Sequence, residues 1–250
     1  MEKINKFVQA LIIAFTFILF SALSSYPLTR EFFKYDLKWM GIKAGTAKLK
    51  FLYSDDRVVI ESRAESASWV SVFYKVDDRA KSILLKSTDQ HDGKKWLANN
   101  YRLKIREGRH RRDKEIIFTP SPPSAKYINH LKKEEKVFQI EDDTYDPLSA
   151  FFILRQKEIK DGNEIYLKIF DSKKFYRARI KILGKEKVKT KAGTFNTIVI
   201  EPELKSEGIF QRKGKIIIYL TDDERHIPVL LKSKVLIGSV VAELVDMDVK

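Results

Sequence analysis

The 250 residues include no cysteine. That absence removes thiol nucleophiles, disulfides, iron–sulfur ligation, thiolate zinc sites and lipidation on cysteine. Histidine is scarce: His91, His110, His130 and His226 lie far apart in the chain. His91, flanked by Asp89 and Asp92, is the candidate for a weak divalent-cation site, which competes with an ordinary polar turn. Glycine (10) and proline (7) are too few for a collagenous or low-complexity chain. No phosphate-binding glycine loop, nucleophile elbow or zinc-protease helix occurs. Long apolar runs are lacking as well, with one exception at residues 7–23.

That run follows Lys3 and Lys6 and precedes Ala22-Leu23-Ser24, the order of a charged region, an apolar region and small residues in a secretory signal. Residues 1–24 therefore read as an N-terminal signal helix cut before Ser25. The alternative is an uncleaved anchor, since seventeen residues at ~1.5 Å each come close to the ~30 Å hydrocarbon core. Either outcome exports the body of the protein to the periplasm or beyond, and the second holds it at the inner membrane. The balance of 48 Lys+Arg against 34 Asp+Glu gives a formal charge of +14. An exported basic protein meets anionic lipid headgroups, lipopolysaccharide-like amphiphiles, membrane surfaces and cell-wall polymers rather than nucleic acid.

From Glu31 onward the dominant signal is period-two alternation, as at Ala47, Leu49, Phe51 and Tyr53 with Lys48 and Lys50 between them. Such a pattern is a half-buried antiparallel strand. Ten further runs of this kind are separated by Gly, Pro, Asn and Asp turns. They predict a mainly β chain: one domain over residues 31–250, built as a large curved antiparallel sheet or an open or half barrel. Asp146-Pro147 is a helix cap followed by proline at the first helical position, and Leu148, Phe151, Phe152 and Ile159 then recur at helical spacing. This predicts one covering helix over 147–159 on the concave face. A short helix is expected within 66–74, and a loop or strand-edge crossing at the prolines of 119–124. Lys-Ala-Gly-Thr occurs twice, at 43–46 and 191–194, each time opening a strand.

Carboxylates do not form a convincing catalytic set. Asp77-Asp78 and Asp222-Asp223 are adjacent pairs at turns, where neighbours point apart. The acidic run at 142–146 has Pro147 where a calcium loop needs glycine. A non-enzymatic protein without a cofactor is expected. The densest positive feature is Arg102, Lys104 and Arg106 on one strand face, followed by Arg109, Arg111 and Arg112 at the turn. It can meet the phosphates of an anionic headgroup, or it can be a solvated hairpin end. Trp39, Phe51, Trp69, Phe73, Phe151 and Phe152 are the candidates to line an acyl-chain space between helix and sheet, against ordinary core packing.

Four stretches together resemble an exported bacterial family of unknown function, DUF3108. They are the segment 33–47 containing Tyr35-Asp36 and Lys43-Ala44-Gly45-Thr46, then Tyr145-Asp146-Pro147-Leu148, then Lys189–Phe195 with Val199, and finally Thr221-Asp222-Asp223 through Ile227-Pro228-Val229, Gly238 and Leu244. The closing pattern is also similar to periplasmic lipoprotein carriers, half barrels that hold acyl chains under a helical lid. The resemblance implies a fold and no catalytic residue. The expected function is a non-enzymatic envelope protein that binds a lipid or acylated ligand for transport or sensing. The alternative is an envelope scaffold or cell-wall-polymer module without a ligand cavity.

Overall fold

A computed structural model describes residues 30–87, 95–203, 215–234 and 238–250. The apolar run at residues 7–23 and the Asp89–His91–Asp92 cluster lie outside these residues. The first eight strands are β1 (Arg30–Trp39), β2 (Ile42–Tyr53), β3 (Arg57–Ser66), β4 (Asp77–Lys86), β5 (Trp96–Glu107), β6 (His110–Thr119), β7 (Ser124–Asn129) and β8 (Glu134–Gln139). The remaining seven are β9 (Thr144–Tyr145), β10 (Glu164–Asp171), β11 (Lys174–Thr190), β12 (Gly193–Pro202), β13 (Ile216–Thr221), β14 (Pro228–Lys234) and β15 (Ser239–Val249). Helix α1 covers Ser68–Ser71 and helix α2 covers Pro147–Arg155.

All fifteen strands belong to one sheet, in the order β8-β7-β6-β5-β4-β3-β2-β1-β15-β14-β13-β12-β11-β10-β9. Only β9 and β10 run parallel. The first eight strands form one meander and the rest a second, and β1 pairing with β15 joins the two in the middle. The two outer edges, β8 and β9, are not hydrogen-bonded to each other. The arms instead curl together and touch through side chains. Phe138 packs on Phe170 with ring centroids 5.2 Å apart, and the Tyr145 hydroxyl donates to the Trp96 carbonyl at 3.1 Å. Lys114 Nζ lies 2.7 Å from Asp171, both side chains nearly buried. The result is the expected curved sheet, open along one seam.

Helix α2 fills the concave side because its apolar residues have no other large apolar partner. Phe152 meets Phe51, Tyr53 and Trp96 at centroid distances of 6.2, 6.2 and 6.3 Å. Both helix ends are fastened by buried ionisable groups. The Asp146 carboxylate accepts from the amides of Leu148 and Ser149 at 2.9 and 3.1 Å and from the Ser82 hydroxyl of β4 at 2.8 Å. At the other end the Arg155 guanidinium forks onto Glu31 of β1 at 2.7 and 3.0 Å. It also donates to the Arg225 and His226 carbonyls and stacks 4.6 Å over Phe51.

Two sequence expectations hold, the short helix within 66–74 and the loop at the prolines, and two points need correction, the end of the covering helix and the strands after residue 123. The helix stops at Arg155, where the next two amides turn back to Ile153 and Leu154, and Ile159 is buried from the following loop. The short helix expected within 66–74 is the four-residue α1, followed by a turn. The prolines near 120 sit in the expected loop, a tight link between β6 and β7, but β7 and β8 follow where no strand was expected. β8 is an edge with no fully buried residue, so it lacks the apolar face that alternation requires.

Candidate functional site

One end of the sheet gathers three connections into a rim. The β1–β2 turn meets the α1 segment through the Ala67 amide on the Ala44 carbonyl at 2.7 Å and the Trp69 indole on the Lys43 carbonyl at 3.1 Å. The α1 segment meets the β5–β6 turn through the Gly108 amide on the Lys75 carbonyl at 2.8 Å. Gly108 has φ +55°, and a Cβ there would lie 2.7 Å from the Tyr74 ring, so glycine is required on both counts.

Large apolar side chains on this rim face water. Phe73 is 87% exposed, Val72 77%, Ile42 64% and Met40 63%, with Trp39, Trp69 and Tyr74 about half exposed beside them. Lys43, Lys75, Arg106, Arg109 and Arg111 are exposed on the same end. Scattered exposed apolar residues are ordinary, but a contiguous group ringed by cations is not. Beneath it, Asp78 accepts from the Arg106 amide at 2.9 Å, and burial together with the Asp78 charge pushes Glu107 up to about 7.

The six apolar residues singled out from sequence do not line one chamber. Trp39, Trp69 and Phe73 are on the rim, Phe51 and Phe152 are in the core, and Phe151 is half-buried on α2. The space between helix and sheet, expected to take an acyl chain, is occupied by the rings of Phe33, Phe51, Tyr53, Trp96 and Phe152. The reason is the number of inward aromatics on β1, β2 and β5, which the one-strand patterns did not reveal as meeting.

The basic set also divides. Arg102 is committed to Asp113 at 2.9 and 3.0 Å and to Glu115 at 2.9 Å, whereas Lys104 and Arg106 are exposed on the same outer face. Arg109 sits at the turn. Arg111 donates to the Gly108 and His110 carbonyls, both at 2.7 Å. Arg112, opposite Ile105 on the inner side, donates to His110 Nε2 at 2.8 Å. It faces a 370 Å³ cleft beside Lys114, Tyr127, Asn129, Lys132 and Lys173, where β6 and β7 approach the β10–β11 turn.

Sequence reading missed a second charged surface on the outer wall. Strand register aligns Lys34, Lys48, Arg63, Arg79 and Lys104 side by side across β1 to β5. An open trough of about 420 Å³ runs along the last four. Each strand showed its own alternating lysines and arginines, but the row exists only once five strands are in register. The repeated Lys-Ala-Gly-Thr also acquires a purpose. Lys43 and Lys191 close on the two oxygens of one buried carboxylate, Asp36, at 2.6 and 2.7 Å. Burial opposes the Asp36 charge, but these two ammonium groups outweigh it and hold the carboxyl below the usual range.

The acidic pairs have structural partners. Asp77 pairs with Arg63 and Arg79, and the Arg79 hydrogen bonds hold it below the usual carboxylate range. Asp223 accepts from the Thr221 hydroxyl and from the Arg225 and His226 amides, shaping the β13–β14 turn. Among the described residues no three His, Asp or Glu side chains converge on a point that could hold a metal ion.

No curated protein matches the chain at a significant level. Among solved structures the chain is similar to a beta-barrel-like protein of the domain of unknown function DUF1849 from Brucella abortus. The TM-score is 0.54 at 12% identity, over 89% of this chain and 98% of that one. At that identity the likeness concerns the fold alone. The family described as protein of unknown function DUF3108 matches residues 34–245. That span runs from the middle of β1 to the middle of β15, and the chain belongs to the DUF3108 family.

Proposed function

We propose that the protein is a non-enzymatic envelope protein that binds lipid at its rim, by docking on an anionic membrane surface rather than by enclosing an acyl chain. One observation carries the reading: the rim presents Met40, Ile42, Val72 and Phe73 to water with Trp39, Trp69 and Tyr74 around them and cations alongside. Aromatic side chains with a polar tip suit the headgroup layer, and Phe, Ile and Val suit the acyl boundary. Each apolar side chain moved out of water contributes ~1.5–3 kcal/mol, and each nearby Lys or Arg adds about 1 kcal/mol on an anionic leaflet. The export signal expected in the sequence supports the same compartment.

Tryptophan position makes the test direct, because Trp39 and Trp69 are on the rim and Trp96 is half-buried against Phe152. The chain from Ser25 retains every strand and is mixed with vesicles containing brominated phosphatidylcholine, with or without phosphatidylglycerol. Bromine should quench part of the tryptophan emission, more with the anionic lipid, and Ile42→Asp with Phe73→Asp should abolish the effect. Emission untouched by brominated chains would reject docking and leave the scaffold reading.

A further inference from the structure

The cation row on the outer wall is costly to the sheet. Lys34 faces Lys48, Lys48 faces Arg63, Arg63 faces Arg79 and Arg79 faces Lys104, so four successive cross-strand pairs are like-charged. Directly opposed like charges destabilise a sheet. The row is also bounded, by Asp246 opposite Lys34 and by Asp113 opposite Lys104. Among the described residues Arg63 pairs with Glu65 at 2.6 Å and shares Asp77 with Arg79, and Lys104 Nζ lies 3.9 Å from Asp113, while Lys48 has no acidic partner within ion-pair distance. These carboxylates offset the row only in part, and a locally unfavourable arrangement of this kind is where a ligand is to be sought.

We infer that this row is a binding site for an anionic polysaccharide, one that carries a carboxylate on each sugar and lies across the strands. The row spans four strand spacings, about 19 Å, with a cation every ~4.8 Å. The trough gives that line a concave bed. The row sits halfway along β1 and two to three residues, roughly 7–10 Å, below the rim ends of β3, β4 and β5, on the wall rather than on the rim. Acidic groups decide between a glycan and a denser polyanion. Glu61 and Glu115 occupy the adjacent outer-face row with Lys50, Lys81 and Arg102. The exposed Glu61 oxygens accept from sugar hydroxyls, and both carboxylates repel a phosphate chain that lacks donors. This inference stands on the wall alone and does not depend on docking at the rim.

The test uses the full chain in a non-ionic detergent and a defined oligogalacturonate as the probe, followed by calorimetry at low and moderate salt. Binding is expected to weaken with salt and to fall on the order of 30-fold in the combined variant Lys48→Gln, Arg79→Gln, Lys104→Gln. All three side chains are exposed, and the relief of mutual repulsion and the loss of the exposed Arg79–Asp77 pair are both small, so the melting temperature should change by no more than a few degrees. Phe73→Asp on the rim should leave the affinity unchanged. Undetectable oligogalacturonate binding, equal binding by the triple variant, equal affinity for a neutral glycan, or tighter binding of polyphosphate of equal charge would each overturn the assignment.

Discussion

Asp146 both anchors α2 and opposes folding at neutral pH. It caps the helix through two amides, yet it is fully buried, and burial outweighs the hydroxyl and amide donors and raises its pKa from 3.8 to about 6. In the unfolded chain the same carboxyl titrates near its ordinary value. Between roughly pH 4 and 6 the folded state therefore binds more protons, and the group's contribution to stability falls as pH rises, by up to about 3 kcal/mol. Asp146→Asn keeps an oxygen for the two amides and removes the titration. Urea unfolding should show the variant gaining on the wild type from pH 4 to 7, and parallel pH profiles would contradict this account. Phe152, 1% exposed among three rings, is a different kind of residue. Its replacement by alanine should cost about 3–5 kcal/mol at any pH, visible as an equal loss at both ends of the same titration.

Helix α2 is an element fixed at both ends rather than a lid. Its C-terminal bolt, Arg155 on Glu31, is 2% exposed on each side. Removing one partner strands a buried charge, so Arg155→Ala should destabilise by about 3–5 kcal/mol. Glu31→Leu with Arg155→Met replaces both and should recover most of that loss in denaturant unfolding. A double variant no better than the single would mean that the carbonyls of Arg225 and His226, not Glu31, are what the guanidinium serves. The helix start was legible because Asp-Pro is a local signal. Its end was not, because Arg155 turns the chain through partners on β1 and the β13–β14 turn. Alternation revealed the longer strands with one dry face and missed β7, whose dry face is only Ala125 and Tyr127, and β8, whose one inward ring is Phe138.

At the scale of the molecule, the mainly β, curved architecture was readable from the count of alternating segments, but the placement of side chains around it was not. Phe73 and Phe152 look alike in sequence and end at 87% and 1% exposure, because one sits in a turn and the other on a helix facing inward. The seam is the least connected part of the sheet. Lys114→Met should leave Asp171 without its buried partner and speed amide exchange in β7, β8 and β10, while the β1–β15 junction stays protected. Uniform acceleration would show the whole sheet to be one cooperative unit. The direction of β1 has a separate consequence. The strand runs from Arg30 to Trp39, so the preceding segment joins the sheet about 30 Å from the rim, at the opposite end. If the apolar run at residues 7–23 is an uncut anchor, it would hold the rim off its own bilayer and turn it toward another. Cleavage would then decide between a peripheral protein that settles on one membrane and a spacer that spans the gap between two. Light scattering separates these fates: full-length protein anchored in anionic vesicles should cluster them, and the chain from Ser25 should not.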